Sequence, residues 1–101
     1  MPQFIVLFED DDAHADQRHR HLAAHLAFLE SHADAIIAAG PLIDPASAGP
    51  GGGLWVVQAD HATRIEALVT ADPLWATGLR KSYRILRWNQ VFRDGLRLIR
   101  P

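Results

Sequence analysis

The 101-residue chain is 49% hydrophobic and 22% charged with a net charge of −2, the profile of one soluble globular domain rather than of a disordered chain. With no cysteine, disulfides, thiolate catalysis and cysteine-ligated zinc or iron–sulfur centres are excluded. No apolar run approaches the ~20 residues of a membrane span, and no basic patch precedes the first apolar run, so the expectation is a cytoplasmic protein without a secretory leader.

Phe4, Ile5, Val6, Leu7 and Phe8 form a short apolar run rich in β-branched and aromatic residues, the pattern of a strand covered on both faces. The acidic run Glu9-Asp10-Asp11-Asp12 ends it, and Asp12 is placed to accept hydrogen bonds from the free amides of a following helix. Residues 13–32 read as that helix. Leu22, Leu26, Leu29 and Ala33 recur as one apolar stripe, and neither glycine nor proline interrupts. Residues 34–39 read as a second strand through Ile36 and Ile37, stopped at Gly40-Pro41. Residues 40–53, with five of the seven glycines and three of the six prolines, read as a long hairpin loop.

Leu54, Trp55, Val56, Val57 and Gln58 form the third strand. Asp60 is a candidate N-cap for a second helix through Ile65, Leu68 and Val69. Asp72-Pro73 must end it, because proline pushes the preceding residue into an extended conformation. A turn through Leu74, Trp75 and Gly78 leads to a fourth strand over residues 80–88, and the tail over 89–101 is an edge strand or an arm. Seven of the ten basic residues follow position 79 against one acid, Asp94. A basic end raises nucleic-acid binding; interleaving with Tyr83, Ile85, Leu86 and Trp88 favours neutralisation by the acidic run instead, so nucleic acid is not the expected partner.

The order β-α-β-β-α-β is the ferredoxin-like, split βαβ pattern, an α+β sandwich with both helices on one face of an antiparallel sheet. Residues 4–8 and 54–57 are apolar on both faces, so the bare face of the sheet calls for a second copy, and a homodimer is expected.

Six histidines are present, five of them between positions 14 and 32. On a wheel with Leu22 at zero, the apolar stripe spans roughly 340° to 40°. Arg18, His25, His14, His32 and His21 fall between roughly 320° and 260°, along one flank. A histidine at the edge of a buried face titrates near neutral pH and serves as acid or base. The plainer reading is that these are solvated histidines of an Ala/His-rich helix. His21 and His25, four apart, have metal-ligand spacing, but position 22 is leucine where the helical metalloprotease motif needs glutamate, and no third ligand is evident, so no metal is expected. Ser31, Ser47 and Ser82 lie in no nucleophile-elbow context. The glycine run 49–53 lacks the Lys-Ser/Thr ending of a phosphate-binding loop. Asp72 is the most suggestive carboxylate. It is either a plain helix stop or, with both helices on one sheet face, a partner that fixes the tautomer of a histidine on the first helix.

Four segments, Arg18-His19-Arg20-His21-Leu22, Ala39-Gly40-Pro41-Leu42, Asp72-Pro73-Leu74-Trp75-Ala76-Thr77-Gly78-Leu79 and Tyr83-Arg84-Ile85-Leu86-Arg87-Trp88-Asn89, resemble the YciI-like (YCII-related) proteins. The resemblance spans nearly the whole chain, 1–101, as one such domain with a tail from about 90. It implies the dimeric α+β barrel fold and a His–Asp active site without a cofactor, with some relatives acting on ring compounds, for instance in dehydrochlorination of hydroxyquinols. Carried onto this sequence, it implies Asp72 as the carboxylate and His21 as the histidine. His25-Leu26 is the competing assignment, because the segment from His21 to Gly40 is about two residues longer than the pattern.

The leading expectation is a cofactor-free homodimeric enzyme doing acid–base chemistry on a small cyclic molecule. His21 or His25 moves a proton, Asp72 orients it and Arg18 attracts an anionic group, with Leu42 and Trp75 as apolar walls and the glycine loop as a lid. A non-catalytic dimeric binding or accessory module is the alternative, and a cofactor-free monooxygenase a third.

Overall fold

The first strand occupies the middle of the sheet because its alternate residues serve both faces. In the computed structural model, which describes residues 1–47 and 50–101, β1 (Gln3–Asp10), β2 (Ile36–Ile43), β3 (Pro50–Gln58) and β4 (Arg80–Arg87) form an antiparallel sheet in the order β2-β3-β1-β4. Val6 pairs with Trp55 and Ile85, and Phe8 with Tyr83, on the core face. Ile5 and Leu7, paired with Val56, Leu86 and Leu54, point to the other face. Helices α1 (Asp16–Arg20), α2 (Leu22–Ser31) and α3 (Ala62–Ala71) connect the strands. Ile65, Leu68 and Val69 of α3 and Phe28 and Leu29 of α2 pack on Val6, Phe8, Trp55 and Val57. This is the expected α+β ferredoxin-like sandwich. Among the described residues, no helix is long and apolar enough to cross a membrane.

The first helical segment departs from expectation in three ways. Asp11, not Asp12, is the cap: its carboxylate accepts from the Ala13 amide at 3.0 Å, while its own amide is tied to the Leu79 carbonyl at 2.6 Å, which starts the helical path one residue early. A 3₁₀ turn (Asp12–His14) precedes α1, and His21 (φ −107°, ψ 15°) kinks the path between α1 and α2. Hydrogen bonds from His21 to Gln17 and from His25 to His21 continue through the kink. Most importantly, only Leu29 of the predicted stripe packs on the core. Leu22 and Leu26 are 43% and 46% exposed, whereas His25 is 7% exposed and Phe28 stacks near Trp55 at 6.2 Å. The buried face is the histidine flank, because Phe28 supplies the apolar contact and a tertiary partner satisfies His25.

The expected loop over 40–53 is largely sheet. β2 runs on to Ile43 and β3 begins at Pro50, with Pro41 opposite Gly53 and Ile43 opposite Pro50. Pro41 is tolerated because β2 is an edge strand. Gly52, at φ +88°, brings β3 so close to β1 that a Cβ would lie 1.9 Å from the Phe8 carbonyl oxygen. The lid assigned to the glycine run is therefore corrected to strand for residues 50–53; Gly49 lies outside the described residues. Helix α3 is capped by His61 rather than Asp60, with no side-chain cap bond. Beyond β4, the arm folds into a hairpin of β5 (Phe92–Arg93) and β6 (Leu96–Arg97), turned by Asp94 and Gly95 at φ 54° and 77°. That is the turn geometry Asp-Gly favours. The acidic run and the basic strand do meet: Lys81 lies 3.1 Å from Glu9.

Candidate active site

Pro73 ends α3 as its ring chemistry requires, leaving Asp72 extended at φ −63°, ψ 132°. Asp72 is 1% exposed, and three donors converge on its carboxylate. The Leu74 amide donates to Oδ1 at 3.0 Å, Arg80 Nη1 donates to Oδ2 at 2.9 Å, and His25 Nδ1 lies 2.9 Å from both oxygens. Burial raises the Asp72 pKa, but the His25 hydrogen bond, the Arg80 guanidinium and the Leu74 amide together outweigh it and hold the carboxyl below its ordinary value. An ionised carboxylate only accepts hydrogen bonds. Nδ1 of His25 must then carry the hydrogen, so that in the neutral ring Nε2 is the lone-pair nitrogen. Nε2 has no hydrogen-bond partner among the described residues and is not sealed from solvent.

Arg80 is the residue that sequence reasoning passed over, counting it only as part of a basic end. Its side chain is 2% exposed, and its guanidinium lies 3.9 Å from the Phe8 ring centroid and 5.2 Å from that of Trp55. Burial lowers its pKa and the Asp72 charge opposes that shift; a guanidinium stays charged regardless. Strand alternation from Ile85 and Tyr83 would turn Lys81 inward. A register shift intervenes: Glu9 faces Ser82 but Asp10 faces Arg80, so Lys81 is the extra residue of a bulge and Arg80 takes the inward position.

The other predicted site residues are spread more widely. His21, the first choice, sits at the kink and has no side-chain hydrogen bond or ion pair among the described residues; the histidine that meets Asp72 is His25, one turn later. Arg18 donates from Nη2 to Asp10 Oδ2 at 2.8 Å. Arg18 and Leu42 both line a cavity of about 270 Å³ between α1, β2 and Leu79. Trp75 does not line it: it packs edge-on against Tyr83 at 5.7 Å, under the core. A larger cavity of about 540 Å³, between the N-terminal strand and the arm, has neither histidine nor carboxylate in its lining. His14 pairs with exposed Asp11, and His32 donates to the Phe28 carbonyl, so both have structural roles. No cluster of three or more metal-ligating side chains occurs among the described residues.

The arrangement is therefore a polarised row, guanidinium to carboxylate to imidazole, with one imidazole nitrogen open. Comparison with solved structures gives a match to 5-chloro-2-hydroxyhydroquinone dehydrochlorinase (TftG) from Burkholderia phenoliruptrix AC1100, determined in complex with 2,5-dihydroxybenzoquinone. The two are 26% identical, with a TM-score of 0.74 over 86% of this chain and 93% of that one. A second structure, At3g17210 from Arabidopsis thaliana, is 10% identical with a TM-score of 0.47, covering 93% of this chain and 99% of that one. None of the curated proteins matches. The profile of the YCII-related domain matches residues 2–89. With that match spanning both β1 and the whole Asp72–Arg80 segment, the chain belongs to the YCII-related domain family.

Proposed function

We propose that this protein is an enzyme that moves a proton on a small cyclic organic molecule without a bound cofactor, His25 being the catalytic residue and Asp72 and Arg80 its positioning residues. The observation that carries the reading is the buried His25–Asp72–Arg80 row, with Nε2 of His25 unpartnered among the described residues. The row is neutral when His25 is neutral. When Nε2 takes a proton from substrate oxygen or carbon, the electron pair stays on the substrate and the imidazolium is held against the Asp72 charge. The added positive charge is balanced by the anion formed on the substrate, which a ring with conjugated oxygens disperses. A general base positioned in this way typically contributes 10²–10⁴-fold to rate. The likeness to TftG, whose name and bound compound are both oxygenated six-membered rings, supports a ring substrate.

The test is to incubate the protein with 5-chloro-2-hydroxyhydroquinone and with unchlorinated hydroxyquinols in deuterated water, following chloride release and ring hydrogen exchange. Turnover that His25→Gln abolishes is the expected result. Rings that bind but neither exchange nor release chloride above the buffer rate would turn the reading to a binding module.

A homodimer belongs to the same reading. Ile5, Leu7, Leu54, Val56 and Leu86 share the sheet face away from the helices, and Leu86 is 39% exposed. A second sheet laid on that face would cover an apolar surface that monomers rarely leave open. Light scattering on a size-exclusion column checks this, and a monomeric mass would overturn it.

A further inference from the structure

Residues 90–101 lie beyond the family match. β5 and β6 pair only with each other. Past Gln90, which donates to Gln3, no hydrogen bond or ion pair joins the arm to the body among the described residues. Val91, Phe92, Leu96, Leu98 and Ile99 are 42–66% exposed. The register puts Phe92 beside Arg97 on one face of the hairpin and Leu96 beside Arg93 on the other. Each face is therefore both apolar and cationic. A lone two-stranded hairpin is marginal in water, so this one calls for a surface to lie on. The whole molecule is open to match. Its radius of gyration is 14.6 Å, against about 13 Å for a compact chain of this length. Its accessible surface is 6697 Å², against about 5,700 Å² for a compact monomer of this mass. The excess of about 1,000 Å² per copy is more than the roughly 800 Å² that each partner buries in a standard interface.

Charge names the partner and its orientation. The arm carries Arg93, Arg97 and Arg100 against one acid, Asp94, and Arg97 and Arg100 have no ion pair among the described residues. The complementary charge sits at the far end of the sheet. Exposed Asp12 has no ion pair among the described residues, and Asp16 has only a 3.7 Å contact with Arg20. The arm leaves the sheet beside Gln3, whose carbonyl accepts from the Trp88 amide at 2.9 Å. The acids follow Asp10, about 24 Å further along β1. Two copies stacked on their bare sheet faces about a dyad running across the strands have β1 reversed, so each arm comes over the acidic end of the other copy. A dyad along the strands would instead bring the two cationic arms together. We infer that the arm is a clasp for a second copy of this chain. Phe92 and Leu96 extend the apolar contact that Leu86 begins on the sheet face, and Arg97 and Arg100 meet Asp12 of the partner subunit and Asp16 of the partner subunit. The inference rests on the homodimer of the proposed function, whose orientation and clasp it supplies, and is independent of the proton transfer assigned to His25.

Sedimentation of the full chain over a range of concentrations gives the dimer dissociation constant. Phe92→Ser combined with Leu96→Ser is expected to raise it about hundredfold or more. Arg97→Glu combined with Arg100→Glu is expected to raise it about tenfold or more, and the native constant should itself rise with salt. All four side chains are exposed, so the fold withstands these changes, and circular dichroism checks that it does. A mixture decides the orientation. A chain with Arg97→Glu and Arg100→Glu, and a chain with Asp12→Lys and Asp16→Lys, each repel their own kind. In a heterodimer of the two, both arms face opposite charge, so the mixture should dimerise close to the native constant. A mixture no tighter than either variant alone overturns the arrangement. A native dimer that no arm substitution weakens overturns the clasp and leaves the homodimer standing. A monomeric native chain overturns both, and its sedimentation with phosphatidylserine vesicles would give the arm to an anionic lipid surface instead.

Discussion

Nδ1 of His25 lies 2.9 Å from both carboxylate oxygens of Asp72, although the two residues are 47 positions apart. The pair joins the middle of α2 to the residue just past the end of α3, so it ties together the two helices that cover the sheet. The His25 hydrogen bond, with the Arg80 guanidinium behind the carboxylate and the Leu74 amide, keeps it ionised in a place where burial alone would favour the neutral acid.

Which histidine works is decided by substitution. His25→Gln should lower turnover of a ring substrate by about 10²–10⁴-fold, the usual worth of a general base, and His21→Gln should leave it nearly unchanged. Steady-state kinetics on both variants checks this; the reverse pattern would assign the role to His21.

Asp72 should set the His25 tautomer. In ¹⁵N NMR spectra the native imidazole should show hydrogen on Nδ1 alone in its neutral form. Asp72→Asn, whose amide offers either a donor or an acceptor, should give a mixture of tautomers. An unaltered tautomer signature in the variant would show that the carboxylate does not orient the ring.

The depressed Asp72 pKa also predicts how stability responds to acid. Because the folded state holds this carboxyl below its usual value of 3.8, the unfolded chain takes up the proton first as the pH falls. The contribution is complete above that value and is lost as the pH drops through the lower, folded-state value. Urea midpoints of the native protein and Asp72→Asn should be furthest apart near neutrality and converge below about pH 4.

Arg80→Met should destabilise the fold by about 3–5 kcal/mol, since it strands a buried carboxylate. Combining it with Asp72→Asn should cost less than the sum of the two, because the second change removes the charge that the first leaves unpaired. Chemical denaturation of the three variants measures the coupling.

Gly52→Ala should cost more than the about 1–3 kcal/mol of an ordinary backbone strain, since its Cβ would collide with the Phe8 carbonyl as well as sit at positive φ. Gly40→Ala, with nothing within 4 Å, is the control and should be tolerated. Thermal melts of the two compare them directly.

Much of this architecture is legible in local patterns. Apolar runs at 4–8 and 54–57, the helix ended by Asp72-Pro73 and the chain order of elements are all consequences of periodicity and of proline's fixed geometry, which act over a few residues. The Asp94-Gly95 turn of the arm is equally local, since Asp-Gly favours a tight hairpin turn. The glycine and proline stretch after Ala39 misled, because an edge strand accepts proline and a crowded strand crossing demands glycine. Composition alone does not separate either case from a loop.

Local pattern thus suffices for the elements, their order and the candidacy of Asp72 and the histidine flank. Tertiary packing alone chose which side of α2 is buried, bringing His25 rather than His21 to Asp72 and leaving Leu22 and Leu26 outside. It also turned Arg80 inward through a bulge whose register depends on β1. A buried charge is stable only with partners from distant segments, and those partners have no spacing in sequence. They exist as a site only once the sheet has brought β1, α2, α3 and β4 together.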